Sequence, residues 1–581
     1  MKKYLLVLVG LCCVLSYALA ERPDYPELKK SDANIIGHVL DKKTKEHLPY
    51  ITIALKGTTI GTVTDATGHY FLKNLPEGNF ILEVSSVGYK TVTRNVTLKK
   101  GKTLEEDFEI EEDAIALDGV VVSANRSETT RRMAPTLVNV VDLKLFETTN
   151  SSTLSQGLNF QPGVRVETNC QNCGFQQVRI NGLDGPYTQI LIDSRPVFSA
   201  LSGVYGLEQI PASMIERVEV MRGGGSALFG SSAIAGTINI ITKEPLRNSG
   251  QLSHTITSLG GSSSFDNNTS LNASLVTDDH RAGLYIFGQN RYRSGYDYDG
   301  DGFTELPKLK NQTVGFRSYL KTSTYSKLTF EYHHMQEFRR GGDMLNRPPH
   351  EAHIAEQLQH SIDGGSLKFD YFSPDEKNRL SVFASAANTD RDSYYGPGND
   401  PLKAYGKTTD LTAMGGAQYV HTFDKCFFMP SDLTAGLEYN RDRLKDNMWG
   451  YNRHTDQTVN IYSAFLQNEW KNDRWGILIG GRLDKHNMVD NVIFSPRANL
   501  RFNPTQNINL RLSYSSGFRA PQAFDEDMHI ENVGGTVAMI ERAKDLKEEK
   551  SQSFSVSADM YHRFGAFQTN LLIEGFYTRL T

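Results

Sequence analysis

From about residue 250 onward the chain alternates. Between Trp475 and Asp484, the residues Trp475, Ile477, Ile479, Gly481 and Leu483 interleave with Gly476, Leu478, Gly480, Arg482 and Asp484. Between Phe494 and Phe502, Phe494, Pro496, Ala498, Leu500 and Phe502 share one face, and Ser495, Arg497, Asn499 and Arg501 share the other. Ile508, Leu510, Leu512 and Tyr514 oppose Asn509, Arg511 and Ser513 in the same way. A period of two is the signature of a strand with two unlike faces. A soluble sandwich alternates too, but its inner side packs dry. Here Arg and Asn recur on one face of successive long strands, which suits lipid outside and a hydrated or filled lumen inside. The expected fold class is mostly β, and between a soluble sandwich and a transmembrane antiparallel β-barrel over residues 250–581 the decision falls to the resemblance that the preceding segment carries.

The first third follows another rhythm. "IIGHVLD", "YITIAL", "GTVTDATGHYFL", "GNFILEVSSVGY" and "TVTRNVTL" are short strands separated by turns such as Asp65-Ala66-Thr67-Gly68 and Pro76-Glu77-Gly78. They predict a small β-sandwich over residues 33–112, large enough for a core of its own and able to fold independently. The stretch resembles the carboxypeptidase-regulatory-like domain, a module without a zinc ion or nucleophile. In keeping with that, His38, His47 and His69 lack the carboxylate spacing of a catalytic zinc site.

At the N-terminus Lys2 and Lys3 precede an apolar run to Leu19 and the Ala18-Leu19-Ala20 cleavage pattern, so residues 1–20 read as a signal peptide. Cys12 and Cys13 leave with it. No later stretch approaches 18 apolar residues, so any crossing of a bilayer must use a closed barrel. A formal charge of -5 over 581 residues, with no long basic run, excludes nucleic acid as a partner.

An acidic run from Glu105 to Asp113 leads into "ALDGVVVSANRSETTRR". Polar flanks around a short apolar core predict a tether that cannot bury itself, with a β-prone centre able to add as an edge strand to another protein's sheet. Then come "LSQGLNFQPGVRVE", Arg179-Ile180-Asn181-Gly182, the strand Ile190 to Asp193, Ile215-Glu216-Arg217-Val218-Glu219-Val220, "GGGSALFGSSAIAG" and Gly236-Thr237-Ile238-Asn239-Ile240. The small residues permit tight turns and close backbone packing in a confined space. A phosphate loop is excluded because no Gly-Lys-Ser/Thr follows the glycines.

This ordered set resembles the α+β plug domain of TonB-dependent outer-membrane receptors, placed here at 129–245. The resemblance implies an outer-membrane location and active import of a metal chelate: a ferric siderophore, haem or cobalamin. It implies that Asp118, Gly119, Val120, Val121, Val122, Ser123 and Ala124 form the TonB box. TonB, with its inner-membrane energising complex, would pair with that box and pull the plug, because the outer membrane has neither ATP nor a sustained potential. An alternative reading is a receptor for another nutrient or signal, working with a surface lipoprotein. No enzymatic constellation survives inspection. A plugged barrel of about 22 strands needs more than the roughly 330 residues available, and "LLIEGFYTRLT" ends within an alternating run, so closing strands are expected beyond Thr581.

Several residues are candidates for contact with the ligand. Cys170-Gln171-Asn172-Cys173 lies in the plug and, in an exported chain, predicts a local disulfide at a turn near the ligand. "RRGGDMLNRPPHEAHIAEQLQH" (339–360) reads as an extracellular loop in which His350 or His353 could bind iron. His353-x-x-Glu356 within it superficially matches a zinc pair. "SSGFRAPQAFDEDMHI" and "AKDLKEE" resemble the paired boxes of haem receptors and put His529 forward as an exposed-loop ligand, although Ala543-Lys544-Asp545-Leu546 departs from the second box. Asp297, Asp299, Asp301 and Glu305 have the spacing of a calcium loop, but Lys308 stands where the bidentate Glu belongs and an Asp-rich turn is the alternative.

Overall fold

The computed structural model describes residues 30–581 apart from 66, 87–88, 113–119, 125, 127–128, 197–207, 209, 232, 278, 398–403, 534–535, 544 and 565–566. The expected signal peptide, together with Asp118 and Gly119 of the expected TonB box, lies outside the described residues.

Residues 30–112 form two small sheets. Lys30–Asp41 pairs with His69–Pro76, Thr103–Glu105 and Phe108–Ile110, while Thr52–Leu55, Gly61–Val63, Gly78–Ser85 and Val92–Leu98 make the second sheet. Alternate residues such as Ile35, Ile53, Leu72, Val84 and Phe108 face inward and form a closed apolar core. The Asp65 turn closes as expected. Its Oδ1 accepts from the amides of Thr67 (2.8 Å) and His69 (3.0 Å), and Gly68 takes a φ of 78°.

The second unit is a four-stranded sheet in the order Val138–Asp142, Ile215–Arg222, Gly236–Thr242, Thr188–Ile192, flanked by the hairpin Val164–Cys170 and Phe175–Ile180. Its core of Val141, Phe146, Leu154, Ile215, Val218 and Ile238 also takes in Tyr285 and Phe287 from the barrel wall, which places this unit inside the barrel. Gly224 shows why the run is rich in glycine: a Cβ there would lie 1.9 Å from the Ser515 Oγ of the wall.

The wall is one 15-stranded sheet from Ser249–Ser258 to Phe567–Leu580, each strand antiparallel to its neighbour. Its two end strands each pair on one side within the sheet. The alternation resolves as the sequence predicts. Ile479, Leu483, Phe494 and Leu512 face outward, whereas Arg482, Asp484, Arg497, Arg501 and Arg511 point in and are buried. Many inward guanidinium groups donate to main-chain carbonyls of the plug: Arg497 to Ala124 (3.0 Å), Arg482 to Leu228 (3.2 Å), Arg511 to Ala134 (3.1 Å) and Arg339 to Gly174 (3.2 Å).

The two rims differ. Short turns at 277–281, 324–325 and 373–377 line one end, and there the N-terminal domain rests. The Thr59 amide donates to Thr324 O (2.9 Å), and Thr62 Oγ1 lies 3.3 Å from His280. Longer connections at 294–307, 343–353 and 520–548 line the other.

The predicted loop over 339–360 is shorter than expected. Ser326–Gly342 continues as strand, Ile354–Phe372 resumes it, and only 343–353 connects them. Arg339 and His360 therefore belong to the inner wall, while Arg340, on the opposite face, is buried against the 343–353 connection and donates to Asp343 O at 3.0 Å. These strand ends carry polar residues on both faces, Arg339 and His360 on one and Arg340, Gln357 and Gln359 on the other, and so look like a loop when only apolar periodicity is counted. His333 and His334 are likewise strand residues.

Candidate functional site

The segment expected to be a tether is stowed. Val120–Val121 pairs with Thr129–Thr130, and Val121, Ser123 and Ala124 are fully buried. The reason is Glu219, buried in the strand Ile215–Arg222. Its Oε2 accepts from the amides of Val122 (2.9 Å) and Ser123 (2.8 Å) and from Ser123 Oγ (2.7 Å), while Arg217 Nε donates to its other oxygen at 3.0 Å. Asn239 Nδ2 donates to Ser123 Oγ at 3.0 Å. Just beyond, Arg126 pairs with Glu438 of the wall, and Glu438 also takes Arg482 at 2.7 Å. Hydrogen bonds to a charged acceptor are each worth about 1.5–3 kcal/mol, so this one carboxylate holds much of the segment. Replacing Glu219 with Ala is expected to speed cleavage within 121–130 by an added protease. Unchanged cleavage would refute that hold.

A second constellation lies at the tip of the plug. The hairpin Val164–Cys170 and Phe175–Ile180 turns through Cys170-Gln171-Asn172-Cys173, and that turn is pressed onto the end of strand Ser326–Gly342. Gly341 makes the approach feasible, since a Cβ there would sit 1.9 Å from Asn172 O. Across the wall Gly341 pairs with Glu356, and Glu356 with Tyr395. From the 520–548 connection comes His529, which follows the short helix Asp525–Met528. Arg453 anchors that helix by donating to Met528 O at 2.8 Å.

The disulfide expected from the cysteine spacing is not formed, and both cysteine side chains are thiols. Their thiols lie beside two further polar groups. Cys170 Sγ lies 3.0 Å from Glu356 Oε2, and Cys173 Sγ lies 3.4 Å from His529 Nε2. His529 Nε2 is also 3.6 Å from Glu356, and its ring packs between Phe175 and Tyr395 with centroids 5.4 and 5.3 Å away. The hydrogen bond with Cys173 draws the Cys170 pKa down to about 7 against burial, which raises it, and His529 adds to the lowering. Burial disfavours charge on His529, but its hydrogen bonds with Cys170 and Glu356 prevail and raise its pKa to about 10.

His529 was expected as an exposed ligand, yet its side chain is only 10% exposed. The other candidate histidines have separate partners. His350 Nδ1 is 2.8 Å from Tyr405 OH, and the largely exposed His353 has Nδ1 2.6 Å from Asp343 Oδ2. The structure thus joins Cys170, Cys173 and His529 and leaves His350 and His353 apart. Glu356 is the member that the spacing argument did not assign to this group.

Asp297, Asp299, Asp301 and Glu305 also bring carboxylate oxygens within 4.8 Å of one another. They are oxygen donors of the kind a hard cation takes. The same carboxylates cap the loop, Asp297 accepting from the amides of Gly300 (2.7 Å) and Gly302 (2.9 Å), so a plain Asp-rich turn accounts for the arrangement. In the N-terminal domain the rings of His38, His47 and His69 stack 5.0–5.7 Å apart. They do not form one of the two groups among the described residues whose ligand atoms converge within 4.8 Å.

Residues 235–581 match the family model for the TonB dependent receptor-like beta-barrel, 130–237 match the TonB-dependent receptor plug domain, and 35–122 match the CarboxypepD_reg-like domain. The vitamin B12 transporter BtuB of Vibrio vulnificus (strain CMCP6) is 24% identical over 425 residues, spanning 70% of this chain and 64% of that protein. Its counterpart from strain YJ016 is 33% identical over 174 residues, 29% of this chain and 28% of the relative. The chain thus spans less than two thirds of the length of these relatives. Among solved structures, the siderophore receptor PirA from Acinetobacter baumannii superposes with a TM-score of 0.63 at 18% identity, covering 78% of each chain. A mutant of the ferric enterobactin receptor PfeA from Pseudomonas aeruginosa also gives 0.63 at 18% identity, covering 78% of this chain and 71% of that one.

Proposed function

This chain belongs to the TonB-dependent receptors, and from that membership we propose that it imports a metal chelate across the outer membrane: cobalamin, a ferric siderophore or haem. Cobalamin enters the proposal through the sequence relationship to vitamin B12 transporters, and siderophores through the shared architecture. The chelate binds at the long-loop end, and residues 118–124 are the TonB box. Once drawn out by TonB and its inner-membrane energising complex, the box lets the plug be displaced. The work is binding and movement.

The observation that carries the reading is the burial of Val121, Ser123 and Ala124 beneath Glu219 of the plug sheet. A β-prone segment held mainly by side-chain hydrogen bonds offers its main chain for strand pairing with a partner once it is released. The test is uptake of labelled cyanocobalamin, ferric enterobactin and haemin by cells carrying the full-length gene, with and without TonB. Accumulation of one of the three that disappears without TonB supports the proposal, and no accumulation of any overturns it. The alternative, a receptor working with a surface lipoprotein, predicts instead that such a lipoprotein co-purifies in stoichiometric amount.

A further inference from the structure

We propose that Cys170, Cys173, Glu356 and His529 form a binding site for a zinc-class divalent ion, fastening the plug tip to the barrel wall and to the 520–548 connection.

The donor set comes first. Two thiols, one imidazole and one carboxylate are the ligands that zinc and similar borderline-soft ions take, in the number that a closed tetrahedral site requires. Each offers an atom within 4.8 Å of all the others. Ligands about 2.0–2.3 Å from one centre at tetrahedral angles stand roughly 3.3–3.8 Å apart. Of the separations found, 3.4 Å for Cys173 to His529 and 3.6 Å for His529 to Glu356 fall within that range, and 3.0 Å for Cys170 to Glu356 lies just below it. A small adjustment outward therefore accommodates an ion.

The surroundings fit the same role. Cys173, Phe175, Leu358, Tyr395, Met448 and Ile530 form an apolar shell around the cluster, which favours ligand-to-ion contacts over water. Phe175 and Tyr395 fix the imidazole plane with Nε2 directed at the cluster. Two neighbouring thiols in an exported protein would otherwise be oxidised to a disulfide. Here both converge with Glu356 and His529 on one point, as ligands of a common ion do.

The consequence follows from where the ligands lie. The cysteines belong to the plug, Glu356 to the wall and His529 to a rim connection. An ion in this site therefore makes the position of the plug tip and the closure of the rim depend on each other, and movement of the plug dismantles the site. This inference does not rest on any particular imported chelate.

The test uses the full chain in detergent, kept reduced, stripped with a chelator and titrated with Co2+ alone. One equivalent should give the tetrahedral cobalt bands together with a thiolate-to-cobalt charge-transfer band, and one equivalent of Zn2+ should bleach both. Cys170→Ser/Cys173→Ser should lose the charge-transfer band. Glu356→Gln should weaken binding by at least the roughly 10–100-fold that loss of an outer-shell partner costs. Cys426→Ser, in a turn at the opposite rim, should behave like the parent. Heat-modifiable gel mobility shows that each variant retains its barrel. A folded parent without a charge-transfer band, or a folded double-cysteine variant that binds cobalt as the parent does, overturns the site.

Discussion

Deleting residues 118–124 is expected to reduce energised uptake to the level of cells without TonB, while the purified receptor binds the same chelate as tightly as the parent. The expectation combines the stowage of this segment with its distance from the long-loop rim. Its described anchors, Glu219, Asn239 and Arg497, all belong to the plug sheet or the wall around it. None belongs to the cluster formed by Cys170, Cys173, Glu356 and His529. The probe is whichever of cyanocobalamin, ferric enterobactin or haemin shows TonB-dependent accumulation, measured in parallel by cell uptake and by binding to detergent-solubilised protein. Uptake that survives the deletion would remove the segment from the coupling step. A loss of binding equal to the loss of uptake would assign it to the plug's structure instead.

The largest effect on stability is expected at Glu438. This carboxylate pairs at once with Arg126, on the chain just after the stowed segment, and with Arg482 of the neighbouring wall, and all three side chains are buried. Glu438→Ala leaves two guanidinium groups out of contact with water and short of a counter-charge. Asp484 still accepts from Arg482 at 2.8 Å, but Arg126 keeps only its ring contacts with Phe229 and Phe465 among the interactions described. Removing one partner of a buried ion pair costs about 3–5 kcal/mol. The thermal midpoint and the temperature of gel-mobility loss should fall together, with Glu438→Gln intermediate because it still accepts one hydrogen bond. A midpoint equal to the parent's would show that water reaches this part of the lumen.

How much of this was legible in the sequence depended on whether the relevant partners were local. Wall strands such as Trp475–His486 and Ile493–Thr505 were readable because each residue's face follows from its parity alone. The Asp65 turn was readable because its acceptor and donors lie within four residues. The stowage of Val121 to Ala124 was not, since the carboxylate that holds it is about a hundred positions away and apolar counting sees only a short polar-flanked run. Cys170 and Cys173 were legible as a pair and misleading as a bond. Spacing reports how near two backbones are, while the direction of each thiol depends on Glu356 and His529, supplied by strands and connections far along the chain. His529 was found through a motif resemblance, yet its burial between Phe175 and Tyr395 depends on the plug and the wall meeting.

The arginines of the wall grip the plug by its main chain. Arg497, Arg482, Arg511 and Arg339 donate to the carbonyls of Ala124, Leu228, Ala134 and Gly174, and a carbonyl is the same whichever residue carries it. At these four points the wall recognises the path of the enclosed chain whatever side chains it carries, while ion pairs such as Glu208 with Arg339 and Arg126 with Glu438 hold particular residues. Side chains on that path can drift over generations without loosening the fit, provided they stay small enough for the guanidinium groups to reach past them. Plug residues that lend the wall only a carbonyl can therefore diverge faster than those, such as Glu208, whose side chains pair across the seam.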